Sequence, residues 1–225
     1  MDALARSAWR AVARMSVAMA GVLLIPAGTF RYGHAWAFLT GFVTATAWIT
    51  AWLIGHDREL LARRLKAGVA AESDFRQKVI VGLAGLLFAA ELALPGLDVR
   101  RGHPALPVWA AVMGNLLIIL AFVLLFRVYR VNSHAAATVQ VEHGQPLVTT
   151  GPYAHVRHPM YAAVALCILA IPLALGHPSG YFAAGPLLLV LLLRTTSEER
   201  QLLRDLPGYP KYCESVRYRL VPHIW

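Results

Sequence analysis

Long apolar runs alternate with short basic or polar segments along the chain. Four runs of roughly 20 residues, about 11–30, 34–54, 79–97 and 107–126, have the length that a helix needs to cross a hydrocarbon core about 30 Å thick. Two shorter runs, about 160–175 and 181–193, are separated by Gly-His-Pro-Ser-Gly alone, which predicts a tight helical hairpin that is tilted or only partly spanning. The pattern predicts an all-α polytopic integral membrane protein with about five to six transmembrane helices.

The composition agrees with a membrane protein and excludes an ordinary soluble domain. Of the 225 residues, 58% are hydrophobic and 15% are charged, and the mean hydropathy is +0.55. The first apolar run follows three arginines and contains the small residues Ala18 and Ala20, as a secretory signal peptide would. It continues through Ile25, beyond such a cleavage site, so we expect an uncleaved first helix.

The basic residues are distributed unevenly between the two ends of the predicted helices. If six apolar segments cross with the N-terminus inside, 18 of the 21 lysines and arginines face the cytoplasm, and only Arg31, Arg100 and Arg101 lie outside. The net charge of +9 therefore reports membrane topology rather than binding of nucleic acid. We expect both termini in the cytoplasm and the protein in the inner (cytoplasmic) membrane of a bacterium.

The chain shows no internal repeat or flexible linker, so we expect one membrane domain over residues 1–225. Residues 1–128 hold the first four transmembrane helices, and residues 129–225 hold a polar loop, the helical hairpin and a C-terminal cytoplasmic segment. Cys167 lies in an apolar run and Cys213 in the cytoplasmic tail, so we expect no disulfide between them, and their spacing fits no metal site.

Two polar stretches flank the predicted hairpin. The first, residues 130–159, is irregular and cannot lie in lipid; Pro159 suits the first turn of a helix that begins at about His158, with Tyr161 in that turn. The second follows residue 193 and, continued as a helix, places Arg194 and Glu198 on one face. Because the hairpin link is short, the two stretches meet at the cytoplasmic boundary and predict a shared pocket. The alternative is that they are interfacial anchors and a surface ion pair.

These residues resemble a signature of membrane methyltransferases. Arg157-His158-Pro159-Met160-Tyr161, followed at a distance by Glu198-Glu199, resembles the R-H-P-x-Y-x-G and Glu-Glu elements of the isoprenylcysteine carboxyl methyltransferase family, which shares them with phospholipid methyltransferases. The resemblance covers roughly residues 138–225, and Tyr209 and Tyr212 also fit it. One departure is Ala163, which replaces the closing glycine and adds a Cβ.

The resemblance implies S-adenosylmethionine as methyl donor and a lipophilic or prenylated acceptor in the bilayer. A carboxylate acceptor, and so O-methylation, is favoured; an amine acceptor would need Glu199 or His155 as base, and a small thiol is the third option. Arg194 corresponds to a residue that faces the acceptor, and Arg194 and Arg157 are the expected catalytic residues. The expected cofactor-binding residues are Gln140, Gln145, Pro146, Leu147, Val148, Tyr153, His158, Pro159, Met160, Tyr161 and Glu198.

Two other functions compete with methyl transfer. The C-terminal tail is also similar to the membrane sterol reductases, which use NADPH, although Val164 stands where those proteins usually carry Asp. A transporter or a non-catalytic scaffold would use intramembrane polar groups such as Glu91 and Asn115. We expect instead that Glu91 is paired or reaches the interface, and that Asn115 donates a hydrogen bond to another helix.

Overall fold

The computed structural model describes residues 2–66, 68, 75–135 and 145–225, and these residues form helices and connecting segments without strands. Two short 3₁₀ turns lie at Gly151–Ala154 and Pro178–Gly180. The α-helices are α1 (Ala3–Ala27), α2 (Gly33–His56), α3 (Arg58–Leu65), α4 (Phe75–Arg100), α5 (Val108–Val131), α6 (Pro159–Ala174), α7 (Tyr181–Asp205) and α8 (Tyr209–Ser215).

The lengths of the helices confirm an all-α polytopic membrane protein. Five helical segments are long and apolar enough to cross a membrane: α1, α2, α4, α5 and the segment Pro178–Asp205 that contains α7. The remaining apolar helix, α6, has 16 residues and is therefore about 24 Å long, which is shorter than a hydrocarbon core of about 30 Å. Each long helix extends beyond its apolar run at one end or both.

Helix α6 of the hairpin packs against α5 through small residues. Gly114 of α5 lies so close to α6 that an added Cβ would stand 2.3 Å from the Ala174 nitrogen and 2.8 Å from the Ala170 oxygen. Ala170 and Ala174 are both fully buried. The two backbones therefore touch, which is the usual way in which helices associate where lipid supplies no hydrophobic driving force.

Hydrogen bonds from two other connections hold the turn between α6 and α7. The Tyr32 hydroxyl donates to the Leu175 carbonyl at 2.6 Å, and the Leu106 amide donates to the Gly176 carbonyl at 2.7 Å. Gly176 has φ +74°, and an added Cβ there would stand 2.5 Å from Nδ1 of His34. These contacts fix the far end of the hairpin and so set how its opposite ends meet.

Both expectations for the intramembrane polar groups are wrong. Glu91 is fully buried, and neither carboxylate oxygen has a hydrogen-bond partner among the described residues, because α4 presents it to a packed interior rather than to an interface. The Asn115 side chain donates to the carbonyl of Ala111, one turn earlier in α5, at 2.9 Å. A helix carbonyl four residues back is within reach of such an amide, which removes the need for a second helix.

The α5–α6 contact predicts a large effect of one methyl group. Replacing Gly114 by alanine should lower the free energy of unfolding by about 2 kcal/mol, because the backbones must separate to admit the Cβ. Thermal unfolding of the purified protein in detergent measures this. The matched control is Gly185→Ala in α7, where an added Cβ meets nothing within 4 Å. Equal melting temperatures for the two variants would contradict the close packing.

Candidate functional site

The first turn of α6 meets the C-terminal segment through main-chain hydrogen bonds. His158 precedes α6, whose first residue is Pro159, as the sequence predicts. The Arg157 amide donates to the Tyr218 carbonyl and the His158 amide to the Arg219 carbonyl, each at 2.9 Å. The segment after α8 therefore fixes the position of the motif that begins at Arg157.

Tyr161 connects α6 to the polar end of α7. Its hydroxyl donates to Oε2 of Glu198 at 2.5 Å and accepts from Nε of Arg194 at 3.2 Å. Arg194 and Glu198 lie four residues apart on one face of α7, as predicted, and the ring of Tyr161 is buried. The phenol thus orients a carboxylate and a guanidinium toward the same space.

Glu199, the second acidic residue, faces away from Tyr161 and toward two arginines. Oε1 lies 2.8 Å from Nε of Arg157, and Oε2 accepts from Nε of Arg219 at 2.5 Å. His158 lies between the acidic pair, with Nδ1 3.9 Å from Glu198 and Nε2 3.9 Å from Glu199. The hydroxyl of Tyr209 is 3.4 Å from the same Nε2.

A cavity with about 850 Å³ of space, which includes its open mouth, lies between these elements. Gln140 lies outside the described residues. Every other residue predicted to bind the cofactor or to be catalytic lines this cavity: Gln145, Pro146, Leu147, Val148, Tyr153, Arg157, His158, Pro159, Met160, Tyr161, Arg194 and Glu198.

The cavity also has walls that the motif did not reveal. One wall is formed by the segment that follows α5. The sequence shows only that this segment is polar and comes after an apolar run, which does not indicate a binding site. The other lies on α7 and α8, where Gln201 could have been found because it is one turn beyond Glu198. Tyr209 and Tyr212 were noted in the resemblance without a role. The additional lining residues are Asn132, His134, Ala135, Gln201, Leu202, Leu206, Tyr209 and Tyr212.

Tyrosine hydroxyls and amides hold the outer wall of the cavity. The Asn132 amide donates to the Tyr153 hydroxyl at 2.7 Å, and the Tyr212 hydroxyl donates to the Tyr153 carbonyl at 2.7 Å. Burial raises the pKa of Tyr153 to about 12, and burial also raises the pKa values of Tyr209 and Tyr212 above the usual range. All three phenols therefore remain neutral hydrogen-bonding groups at physiological pH.

A second cavity, almost wholly apolar, lies between α2, α4, α5, α6 and α7 and has about 1350 Å³ of space, part of it open. Its walls include Ala84, Phe88, Cys167 and Leu191. Arg194 is part of the lining of both cavities. A single guanidinium therefore stands where a polar pocket and an apolar intramembrane space meet.

Comparison with known proteins connects this arrangement to a family. Residues 109–207 match the family described as phospholipid methyltransferase. The match runs from α5 to just beyond α7, so it includes the Arg157–Tyr161 motif and the acidic pair, and it begins earlier than the resemblance seen in the sequence. The resemblance to membrane methyltransferases of the isoprenylcysteine carboxyl methyltransferase and phospholipid methyltransferase type is confirmed.

The chain is also similar to the mouse Delta(14)-sterol reductase TM7SF2. The two are 30% identical over 91 residues, which is 39% of this chain and 22% of the reductase. The chain therefore matches less than a quarter of the length of that relative.

Within the methyltransferase-family region, the two candidate bases for an amine acceptor are poorly placed. Glu199 is held by Arg157 and Arg219, and His155 is exposed and absent from the residues that line the polar cavity. A carboxylate between two guanidinium groups is a weak base, because losing its charge would leave both cations uncompensated.

The Glu199 cluster predicts a stability effect separate from ligand binding. Glu199→Gln should lower the free energy of unfolding by about 3 kcal/mol, since it leaves the buried Arg157 without its partner charge. Chemical unfolding without ligand measures this. Glu59→Gln is the control, because Glu59 is 81% exposed in its ion pair with Arg63 and should change stability little. A Glu199 variant as stable as the control would contradict the structural role of the cluster.

Proposed function

We propose that this chain is an S-adenosylmethionine-dependent methyltransferase that acts at the membrane interface on a lipophilic acceptor, most favourably a carboxylate. The observation that carries the proposal is the position of Arg194 in the walls of both the polar and the apolar cavity. An amphipathic acceptor has a charged reacting end attached to an apolar chain, so it needs a polar and an apolar space side by side. The family of residues 109–207 supports methyl transfer as the reaction.

The side chains of the polar cavity fit the chemistry of this donor. Glu198, whose side chain is 22% exposed, offers a carboxylate to an ammonium or a ribose diol. His158 and neighbouring amides suit a carboxylate, and Leu147 and Leu202 give apolar contacts for a purine. When bound, S-adenosylmethionine supplies an electrophilic methyl group on a sulfonium centre.

The residues of the chain contribute position rather than proton transfer. Tyr161 accepts from Nε of Arg194 and so fixes the guanidinium, which suits two-pronged binding of an acceptor carboxylate. Such a carboxylate is already ionised and needs no base. Correct alignment of two bound reactants is worth about 7–11 kcal/mol of the barrier, so a site that orients and excludes water suffices. In this proposal Arg157 acts indirectly on the reaction: it pairs with Glu199 and donates a hydrogen bond to the carbonyl of Val216.

The apolar cavity supports a hydrocarbon chain on the acceptor. It lies among helices most of which are long and apolar enough to cross a membrane, and Arg194 is part of its lining. Apolar walls of this size favour a long prenyl or acyl chain, because each buried methylene contributes about 0.8 kcal/mol. With both termini in the cytoplasm, the donor would enter the polar cavity from water and the acceptor would enter from the bilayer.

The alternatives are methylation of an amine or a thiol, and reduction with NADPH. Methylation of a lipid amine or a small thiol would use the same donor pocket, but the placement of Glu199 and His155 gives an amine no suited base. Similarity to the mouse sterol reductase supports NADPH as an alternative ligand of the polar cavity.

Substitution at two positions of α7 should separate donor binding from turnover. Glu198→Ala should abolish donor binding, whereas Arg194→Ala should leave the Kd for S-adenosylmethionine within about twofold and reduce turnover by at least about 100-fold, since it removes a charge-assisted contact to the acceptor alone. Calorimetry gives the Kd, and transfer of a labelled methyl group in membranes gives turnover and identifies the labelled acceptor. Unchanged turnover in Arg194→Ala would show that the acceptor-side assignment is wrong.

The same preparation decides between the two nucleotides. S-adenosylmethionine, and not NADPH, should raise the melting temperature of the wild-type protein, because a ligand stabilises only the folded state that binds it. Stabilisation by NADPH alone would replace the methyltransferase proposal by the reductase alternative. Stabilisation by neither would favour a transporter or scaffold.

Filling the apolar cavity should affect acceptors according to their chain length. Ala84→Phe introduces a ring into this cavity and should lower turnover of a farnesylated cysteine or a long-chain fatty acid by about tenfold or more, while the Kd for S-adenosylmethionine stays unchanged. Leu83→Phe is the matched control, since Leu83 is the neighbour of Ala84 on α4, is 44% exposed and does not line the cavity. Equal turnover in the two variants would place the acceptor chain elsewhere.

A further inference from the structure

Helix α3 lies outside the family match, yet it packs against the polar cavity. Leu60 and Leu61 are buried in one apolar cluster with Tyr129 and Ala135, and Tyr153 packs against that cluster. Asp57 caps the helix by accepting from the Leu60 amide at 2.9 Å, which fixes where α3 begins. The short helix is therefore anchored at its start and along its apolar face.

Arg64 of α3 makes three contacts to the framework of the cavity. Nη1 donates to the Ala135 carbonyl at 3.0 Å and lies 3.7 Å from Sδ of Met160, and the guanidinium carbon stands 4.6 Å over the ring of Tyr129. Ala135 and Met160 both line the cavity. They belong to different walls, one after α5 and one at the start of α6. Arg64 itself does not line the cavity.

The neighbouring arginine adds a parallel contact. Nη1 of Arg63 donates to the Ser133 carbonyl at 3.0 Å. Two successive side chains of α3 thus bind two carbonyls of the segment that follows α5. This segment also carries Asn132, which donates to the Tyr153 hydroxyl in the cavity wall.

We infer that Arg64 is a positioning residue for the methyl-donor pocket, which holds the wall at Ala135 and the wall at Met160 at a fixed separation. The inference rests on the proposed function, because it assigns the pocket to the donor. A planar guanidinium stacks on a ring and donates in its own plane at the same time, so one side chain reaches all three contacts. A lysine has no such plane and keeps the charge alone.

A residue that only stabilises the fold and a residue that positions the pocket differ in what their substitution changes. Loss of the first would lower the free energy of unfolding and leave the affinity of the folded protein for the donor unchanged. A positioning residue changes the spacing of the pocket walls, so donor affinity falls more than global stability. Local loosening should also be visible in amide exchange at residues 131–135 and 157–161, which report small openings of the native state.

The test compares Arg64→Ala and Arg64→Lys with Arg58→Ala in the same helix. Arg58 pairs with Asp2 and is half exposed, and it does not line the cavity. Calorimetry with S-adenosylmethionine should give a Kd about tenfold weaker for Arg64→Ala, an intermediate Kd for Arg64→Lys and an unchanged Kd for Arg58→Ala, in keeping with the loss of a charged hydrogen bond. Amide exchange without ligand should accelerate in both regions for the Arg64 variants only.

Each outcome bears on one proposal. A wild-type Kd in Arg64→Ala, or equal weakening in Arg58→Ala, would overturn the positioning role; if Arg64→Ala does not fold, Arg64→Lys decides on the same criterion. If the wild-type protein binds no S-adenosylmethionine, the proposed function fails. Amide exchange then still decides whether Arg64 positions the two walls.

Discussion

The site depends on the ion cluster in which Glu199 binds Arg157 and Arg219. These three residues come from α7, from the segment before α6 and from the C-terminal segment, so the cluster joins the parts of the chain that enclose the polar cavity. Successive helix residues point about 100° apart, and adjacent Glu198 therefore faces the cavity when Glu199 faces the arginines. Glu199 neutralises the two arginines, which leaves Glu198 available to a ligand.

The short length of α6 gives this cluster its location. A helix of 16 residues that is held at its far end by Tyr32 and Leu106 does not reach across a full hydrocarbon core. The motif at its start therefore lies beside the part of α7 where apolar residues give way to Arg194 and Glu198. This juxtaposition lets a polar and an apolar cavity share a wall, which a longer α6 would separate.

Local pattern predicted much of this arrangement, and non-local contacts account for what it missed. The lengths of the apolar runs predicted the long helices, and Pro159 predicted the start of α6. The four-residue spacing predicted that Arg194 and Glu198 share a face. Glu91 and Asn115 were interpreted wrongly, because burial and bonding within a helix depend on neighbours that a single sequence does not reveal. The contribution of α3 was missed for the same reason: nothing near Arg64 in sequence indicates that Ala135 and Met160 are its partners.

The position of Arg194 also separates methyl transfer from transport. A transporter needs polar groups along a path through the membrane, whereas Arg194 is the one charged side chain among the described residues that line the apolar cavity. A lone guanidinium at the end of an apolar space costs energy unless hydrogen bonds and a nearby carboxylate compensate it, and Tyr161 and Glu198 supply both. On the proposed function, the charged end of the acceptor therefore stops at Arg194, beside the polar cavity.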